Sequence, residues 1–257
     1  MFEGLEEKVR YEDKEVATIG SLIDKLDAQR AKGELLWFRG QSDIDWSIAP
    51  SIARKGKDPI AREWALYKRF RQNAGRLASD KPATDWDWYL LMQHFGLPTR
   101  LLDWTESPLT ALYFAVEDSK SSKKDGVLWV ISPTALNGSL GFPSSVKNDL
   151  PCIGLDLELE GYRIDEVRKT KTFLSPVAAI APRNSARMVA QHGVFVVYHG
   201  DFVPLDKLAD TSFAWRYKIP SSSKSKLLEE LAALSISRLS LFPELPNVAD
   251  FAKEILG

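Results

Sequence analysis

Residues Gln93–Glu117, QHFGLPTRLLDWTESPLTALYFAVE, set a histidine, an arginine and an aspartate within ten residues and then start an apolar helix. Gly96 suits a helix stop, and Pro98 cannot continue a helix. Ser107 and Pro108 supply the N-cap and first-turn residues of the next one. Leu109 to Val116 is apolar nearly all round, so that helix is expected at the centre of the fold. The stretch between the two helices, Thr99–Thr105, reads as a polar loop carrying Arg100 and Asp103. Loops on a rigid scaffold are where function concentrates. Backbone N–H groups at the helix start near Ser107 would favour an anion.

The rest of the chain reads as an α+β fold, a central mixed β-sheet or sheets surrounded by helices. Ser21 caps a helix using Leu22, Ile23 and Leu26 that ends near Gly33. Leu35–Phe38 is apolar on both faces, as a buried strand is. Alternation then puts Arg39 on the side of Leu35 and Trp37, at a strand end where Gly40 releases the chain. An arginine aimed inward there requires a carboxylate or an anionic ligand. A helix follows with Ile60, Trp64, Tyr67, Phe70, Ala74 and Leu77 on one face and Arg62, Lys68, Arg69, Arg71 and Arg76 on the other. Thr84 or Asp85 caps a helix from Trp86 to Phe95 that delivers Gln93 and His94. Val127–Ile131, Gly193–Tyr198 and Ala214–Ile219 read as strands, and Asn184 or Ser185 caps a short helix with Arg187 ending at Gln191. Residues 133–182, rich in Pro, Gly and Ser, read as short extended runs. Two helices, Lys226–Leu234 and Val248–Leu256, are separated by Pro243 and Pro246. Residues 1–20 are expected to be peripheral and 21–257 to form one domain.

Composition narrows the function classes. Lys and Arg (34) balance Asp and Glu (35), so no net field recruits nucleic acid or anionic lipid. The single cysteine, Cys152, precludes an internal disulfide and reads as a small buried hydrophobe, and three histidines give no zinc spacing. No metal is expected. No apolar run approaches the ~18 residues of a membrane span, and the N-terminus lacks an apolar leader. A cytoplasmic protein with no membrane partner is expected.

Five polar side chains stand out as catalytic candidates: Arg39, His94, Arg100, Asp103 and Gln191. Arg39 is a clamp for a diphosphate or carboxylate, or else the partner of Asp103 in a structural ion pair. Asp103 orients Arg100 or His94, acts as a base, or caps the loop. His94 serves as acid or base if a carboxylate orients its ring, or is structural. Gln191 leads into a buried strand and must find partners there. Gly40, Gln41, Thr99, Trp104, Thr105 and Arg187 are candidate substrate contacts. The threonines would donate to a ribose or phosphate, Trp104 would stack on a flat ring, and Arg187 would hold a phosphate. Desolvating so many polar groups without a task would waste stability, which argues for a ligand.

WFRGQSDIDWSIAPSIAR, followed by LMQHFGLPTRLLDWTESPLTALYFA, resembles the FRG domain family, whose name-giving motif is Phe38-Arg39-Gly40 here. ARMVAQHGVF and the closing LFPEL fit the same pattern. The resemblance implies a prokaryotic, phage-associated domain. A looser likeness is to ADP-ribosyltransferases, which open with a strand ending in Arg-Gly or a similar pair, continue to a central strand and helix, and end on a strand with an acidic or polar catalytic residue. That order is matched by Arg39, the Thr99–Thr105 segment and Gln191, which stands where those enzymes usually carry a Glu. The likeness implies an enzyme using NAD as substrate, an ADP-ribosyl transferase or NAD glycohydrolase acting as an intracellular toxin or antiphage effector on a macromolecular target. The alternative is a non-catalytic module that binds a nucleotide, nucleic acid or protein. Phosphodiester hydrolysis by a His–Asp pair is a third option.

Overall fold

The computed structural model describes residues 14–30, 33–54, 56–78, 81–118, 123–142, 144, 146, 148–253 and 255. Most of the expected peripheral segment, residues 1–13, therefore lies outside the described residues. In chain order the elements are β1 (Lys14–Glu15), α1 (Ile19–Arg30), β2 (Trp37–Gln41), α2 (Pro59–Ala74), α3 (Asp85–His94), β3 (Leu101–Thr105) and α4 (Pro108–Val116). Then come β4 (Gly126–Ile131), α5 (Pro133–Ser139), α6 (Ile164–Val167), β5 (Val177–Ala179), α7 (Ala186–Ala190) and β6 (Gly193–Val197). The chain closes with β7 (Ala214–Ile219), α8 (Lys224–Ala233), α9 (Arg238–Leu241) and α10 (Leu245–Lys253). Two compact units result, one of residues 1–46, 107–132 and 212–257, the other of 47–106 and 133–211.

In the first unit β7 pairs in parallel with β1 and antiparallel with β4, which pairs antiparallel with β2. The sheet is mixed and the fold α+β, as expected. Phe38, Leu128, Val130, Tyr217 and Ile219 pack with α1, α4 and α8 in one apolar core. Helix α4 sits unusually close to the sheet. A Cβ at Gly40 would overlap the carbonyl oxygen of Ala111 and come within 2.7 Å of the Ala115 nitrogen; one at Gly126 would lie 2.6 Å from the Ala115 carbonyl oxygen. Glycines on the strands and alanines on the helix together allow this approach. Strand β2 consequently continues through Gly40 to Gln41 instead of ending at Gly40. The Ser107 hydroxyl caps α4 by accepting the Thr110 N–H at 3.2 Å, with Pro108 at the first helical position.

In the second unit β6 lies between β3 and β5, antiparallel to both. Its core joins Leu101, Phe195, Val197, Val177 and Ala179 to Tyr67 of α2 and to Trp86, Tyr89 and Met92 of α3. Thr84 caps α3 in a reciprocal capping box with Asp87. Gly96, at φ 74°, terminates the turn after α3. The Arg71 guanidinium bonds Asp85 at 2.6 Å and the Tyr67 hydroxyl at 2.9 Å, so the basic face of α2 is partly committed to packing.

Several expectations need correction. Thr99–Thr105 is mainly strand, not loop: once α3 stops, Leu101-Leu102-Asp103-Trp104-Thr105 pairs with β6 residue for residue. Residues 133–182 contain short extended pieces, β5 and a bridge between Cys152 and Ile180, but also helical ones that were not expected: α5, a 3₁₀ segment at Leu157–Tyr162 and α6. The cap of α1 is Thr18, whose hydroxyl accepts the Ser21 N–H at 3.1 Å while Ser21 Oγ accepts the Thr18 N–H at 3.2 Å. Pro246 sits inside the first turn of α10, where a missing N–H costs nothing, and Cys152 is half-buried.

Candidate functional site

The sequence candidates divide between the two units. Arg39, Gly40 and Gln41 are in the first; His94, Thr99, Arg100, Asp103, Trp104, Thr105, Arg187 and Gln191 are in the second. In the first unit, cross-strand register places Arg39 opposite Trp129, and Trp129 opposite Arg216, all on one face. The Arg216 guanidinium lies 5.4 Å from the Trp129 ring centroid. Gln41 is buried and its carbonyl accepts the Trp129 indole N–H at 3.0 Å, so this side chain holds the sheet face in place and is not laid open for a substrate. Gly40 faces α4, on the opposite side from Arg39, and its contribution is the close approach of that helix. Lys224, buried at the start of α8, donates to the Ser42 carbonyl at 2.7 Å, and burial pushes its ammonium pKa down. Nothing in its local sequence marked it.

In the second unit a polar cluster gathers where α3 ends and β3 begins. Asp103 is the one exposed residue of β3, whose other four are buried. Both carboxylate oxygens accept from Gln93 Nε2, at 2.9 and 2.8 Å. The Gln93 carbonyl in turn accepts the hydroxyl of buried Thr99. Arg187 of α7 donates to the His94 carbonyl at 3.0 Å. Thr105 donates its hydroxyl to the Gln191 carbonyl at 2.6 Å, and the Glu106 N–H reaches the His192 carbonyl at 3.1 Å. Gln93 thus joins Asp103 and Thr99 in one hydrogen-bonded set, while Arg187–His94 and Thr105–Gln191 are separate contacts in which His94 and Gln191 take part through their backbone carbonyls. The hydroxyls of Thr99 and Thr105 are used in these internal bonds, which corrects their assignment as substrate donors.

Two other candidates have structural tasks. Trp104 is only 3% exposed, so no ring face is open for stacking. Arg100 is fully buried, with Nε 2.6 Å from Glu63 of α2 and the fork donating to the carbonyls of Tyr162, Tyr198 and His199 at 2.9–3.3 Å. Glu63, also fully buried, accepts the Arg100 backbone N–H at 2.6 Å and the Tyr89 hydroxyl. Burial pushes the Glu63 carboxyl up to about 7 against the opposing charge of Arg100. Burial, with Arg100 close by, also depresses His199. The sequence did contain a signal for this knot. Glu63 falls three residues after Ile60 and four before Tyr67, on the apolar stripe of α2, where a carboxylate requires a cation.

Among the described residues no group of three or more His, Cys, Asp or Glu side chains could hold a metal ion, and no helix is long and apolar enough to cross a membrane. No curated protein and no solved structure matches the chain. The family model of the FRG domain matches residues 34–124, the stretch that runs from the lead-in to β2 past α4 and includes Arg39, Gln93 and Asp103. That stretch of the chain is an FRG domain.

Proposed function

We propose that this FRG domain acts on NAD, breaking the bond between ribose C1′ and nicotinamide and passing ADP-ribose to water or to a hydroxyl or carboxylate of a macromolecular target. Nicotinamide leaves with the bonding electron pair, and the incoming oxygen forms the new bond to C1′, a water or hydroxyl giving up its proton as it does so and a carboxylate needing to lose none. The observation that carries this reading is Asp103. It is a carboxylate set on a buried strand, pinned through both oxygens by Gln93, and exposed. A pre-oriented carboxylate stabilises the positive charge that develops on the ribose carbon. Arg187 supplies the charge a pyrophosphate needs, and His94 is the titratable group next to Gln93 in the chain. Consumption of NAD suits an intracellular toxin or antiphage effector.

The test is nicotinamide release from NAD by the purified chain, with and without cell extract. Release by the parent chain, lost in Asp103→Asn, supports the reading. No release and no NAD-induced thermal shift would remove it. One feature favours a second reading: Gln191 stands where the enzymes of the looser likeness carry a Glu, so the cluster lacks that carboxylate. A module that binds the nucleotide without turnover would show the thermal shift, sensitive to Arg187→Ala, with no nicotinamide formed.

A further inference from the structure

We infer that helix α10 is a self-association surface and that its partner is a second copy of this chain. No residue of α10 is buried. Leu245 is 82% exposed, Val248 45%, Phe251 56% and Ile255, just past the helix, 88%. At about 100° per residue these four and Ala252 fall on one stripe roughly 120° wide, with Pro246, Asp250 and Lys253 on the opposite side. A helix of nine residues does not hold in water by its own hydrogen bonds; its stability comes from packing an apolar face. Within the first unit α10 is tied at its start: Arg238 Nε donates to Asn247 Oδ1 at 3.1 Å, and Asn247 Nδ2 donates to the Phe242 carbonyl at 3.0 Å. Those bonds fix the end of the helix without covering the stripe.

The stripe is complementary to itself. Two copies run antiparallel about a two-fold axis level with Asp250 set Leu245 against Ile255 of the other copy and Val248 against Ala252, and bring the two Phe251 rings together beside the axis. A larger side chain meets a small one where Val248 faces Ala252, and every contact off the axis occurs twice, as an isologous interface requires. Asp250 stays on the outer side, so the like charges do not meet. The exposures leave roughly 400–500 Å² of apolar side-chain surface per copy, or about 800–1,000 Å² over the pair. That is near the ~1,000 Å² floor for a specific interface. The association is therefore weak and reversible, with a dissociation constant in the range of about 10–100 µM.

Sedimentation velocity on the full chain between about 5 and 500 µM tests this. The expected result is a mass rising from one chain to two, with Phe251→Glu and Ile255→Glu each weakening the dimer at least about 30-fold. None of these side chains is buried, so the variants keep the parent unfolding temperature, which is measured alongside. As a second readout, Val248→Cys with Ala252→Cys in a Cys152→Ser background crosslinks between chains under mild oxidation. A chain that stays monomeric to the top of the range overturns the inference. So does a dimer untouched by the two glutamates, because it would use another face.

Discussion

Arg100→Met is the substitution that most directly tests the buried knot of the second unit. In the parent chain this guanidinium is fully buried, sits 2.6 Å from Glu63 and donates to the carbonyls of Tyr162, Tyr198 and His199. Methionine fills much of the volume but supplies no donor. Three carbonyls lose their hydrogen bonds, and Glu63 loses the cation that holds its pKa down, so at pH 8 it is left either as a stranded charge in a dry interior or as a carboxyl protonated against its ordinary tendency. Breaking a buried ion pair from one side costs about 3–5 kcal/mol, a large fraction of the ~5–15 kcal/mol that holds a domain together. The expected loss is about 4 kcal/mol in urea unfolding followed by near-ultraviolet circular dichroism. Adding Glu63→Gln to this variant removes the stranded charge, so the double variant should recover roughly 1–2 kcal/mol at the same pH. A single variant within about 1 kcal/mol of the parent refutes the account. A double variant worse than Arg100→Met would also refute it.

A second expectation concerns pH. The Glu63 carboxyl titrates at about 7 when folded against 4.5 ordinarily, so its contribution is complete below 4.5 and is lost as pH rises through 7. The whole step is about 3 kcal/mol, and Glu63→Gln should flatten the stability profile over that window; an unchanged slope would mean other groups cause it. Gly40→Ala drives a methyl into the Ala111 carbonyl and should cost about 3 kcal/mol or more, whereas Gly138→Ala, with nothing within 4 Å, should be neutral or slightly stabilising in thermal melts. Thr84→Ala removes one half of the capping box and should cost about 1 kcal/mol. Asp103→Asn, at an exposed position, should change stability by less than about 0.5 kcal/mol while abolishing any nicotinamide release.

Caps and periodicity made much of the fold legible. Ser107-Pro108, Thr84 and Ser185 each start the helix expected of them, and Ala214–Ile219 is strand over the same residues that alternate in the sequence. Polarity misled where it was taken for exposure. Thr99, Arg100 and Thr105 look like loop residues, yet they are buried just before and within β3, where Gln93, Glu63 and the Gln191 carbonyl satisfy them. Those partners lie up to 86 positions away, beyond the reach of any local pattern. Trp104 was ambiguous for the opposite reason: an indole suits a core and a stacking platform equally well, and only β3's placement decided it. Residues 133–182 were unreadable because their helices are short turns held by tertiary contacts, such as the Asn137 side chain bonding both backbone groups of Ala178.

The Phe-Arg-Gly triplet has a direction as well as a composition. Phe38 and Gly40 address the helix above the strand, one filling space and the other yielding it, while Arg39 addresses the reverse side. Shift the strand by a single residue and a guanidinium would be driven beneath α4, with the hollow it needs opened on the wrong surface. The three letters therefore act as a ratchet on register: the chain can find its packing only where the arginine also finds its face, so selection for folding alone would keep that side chain aimed.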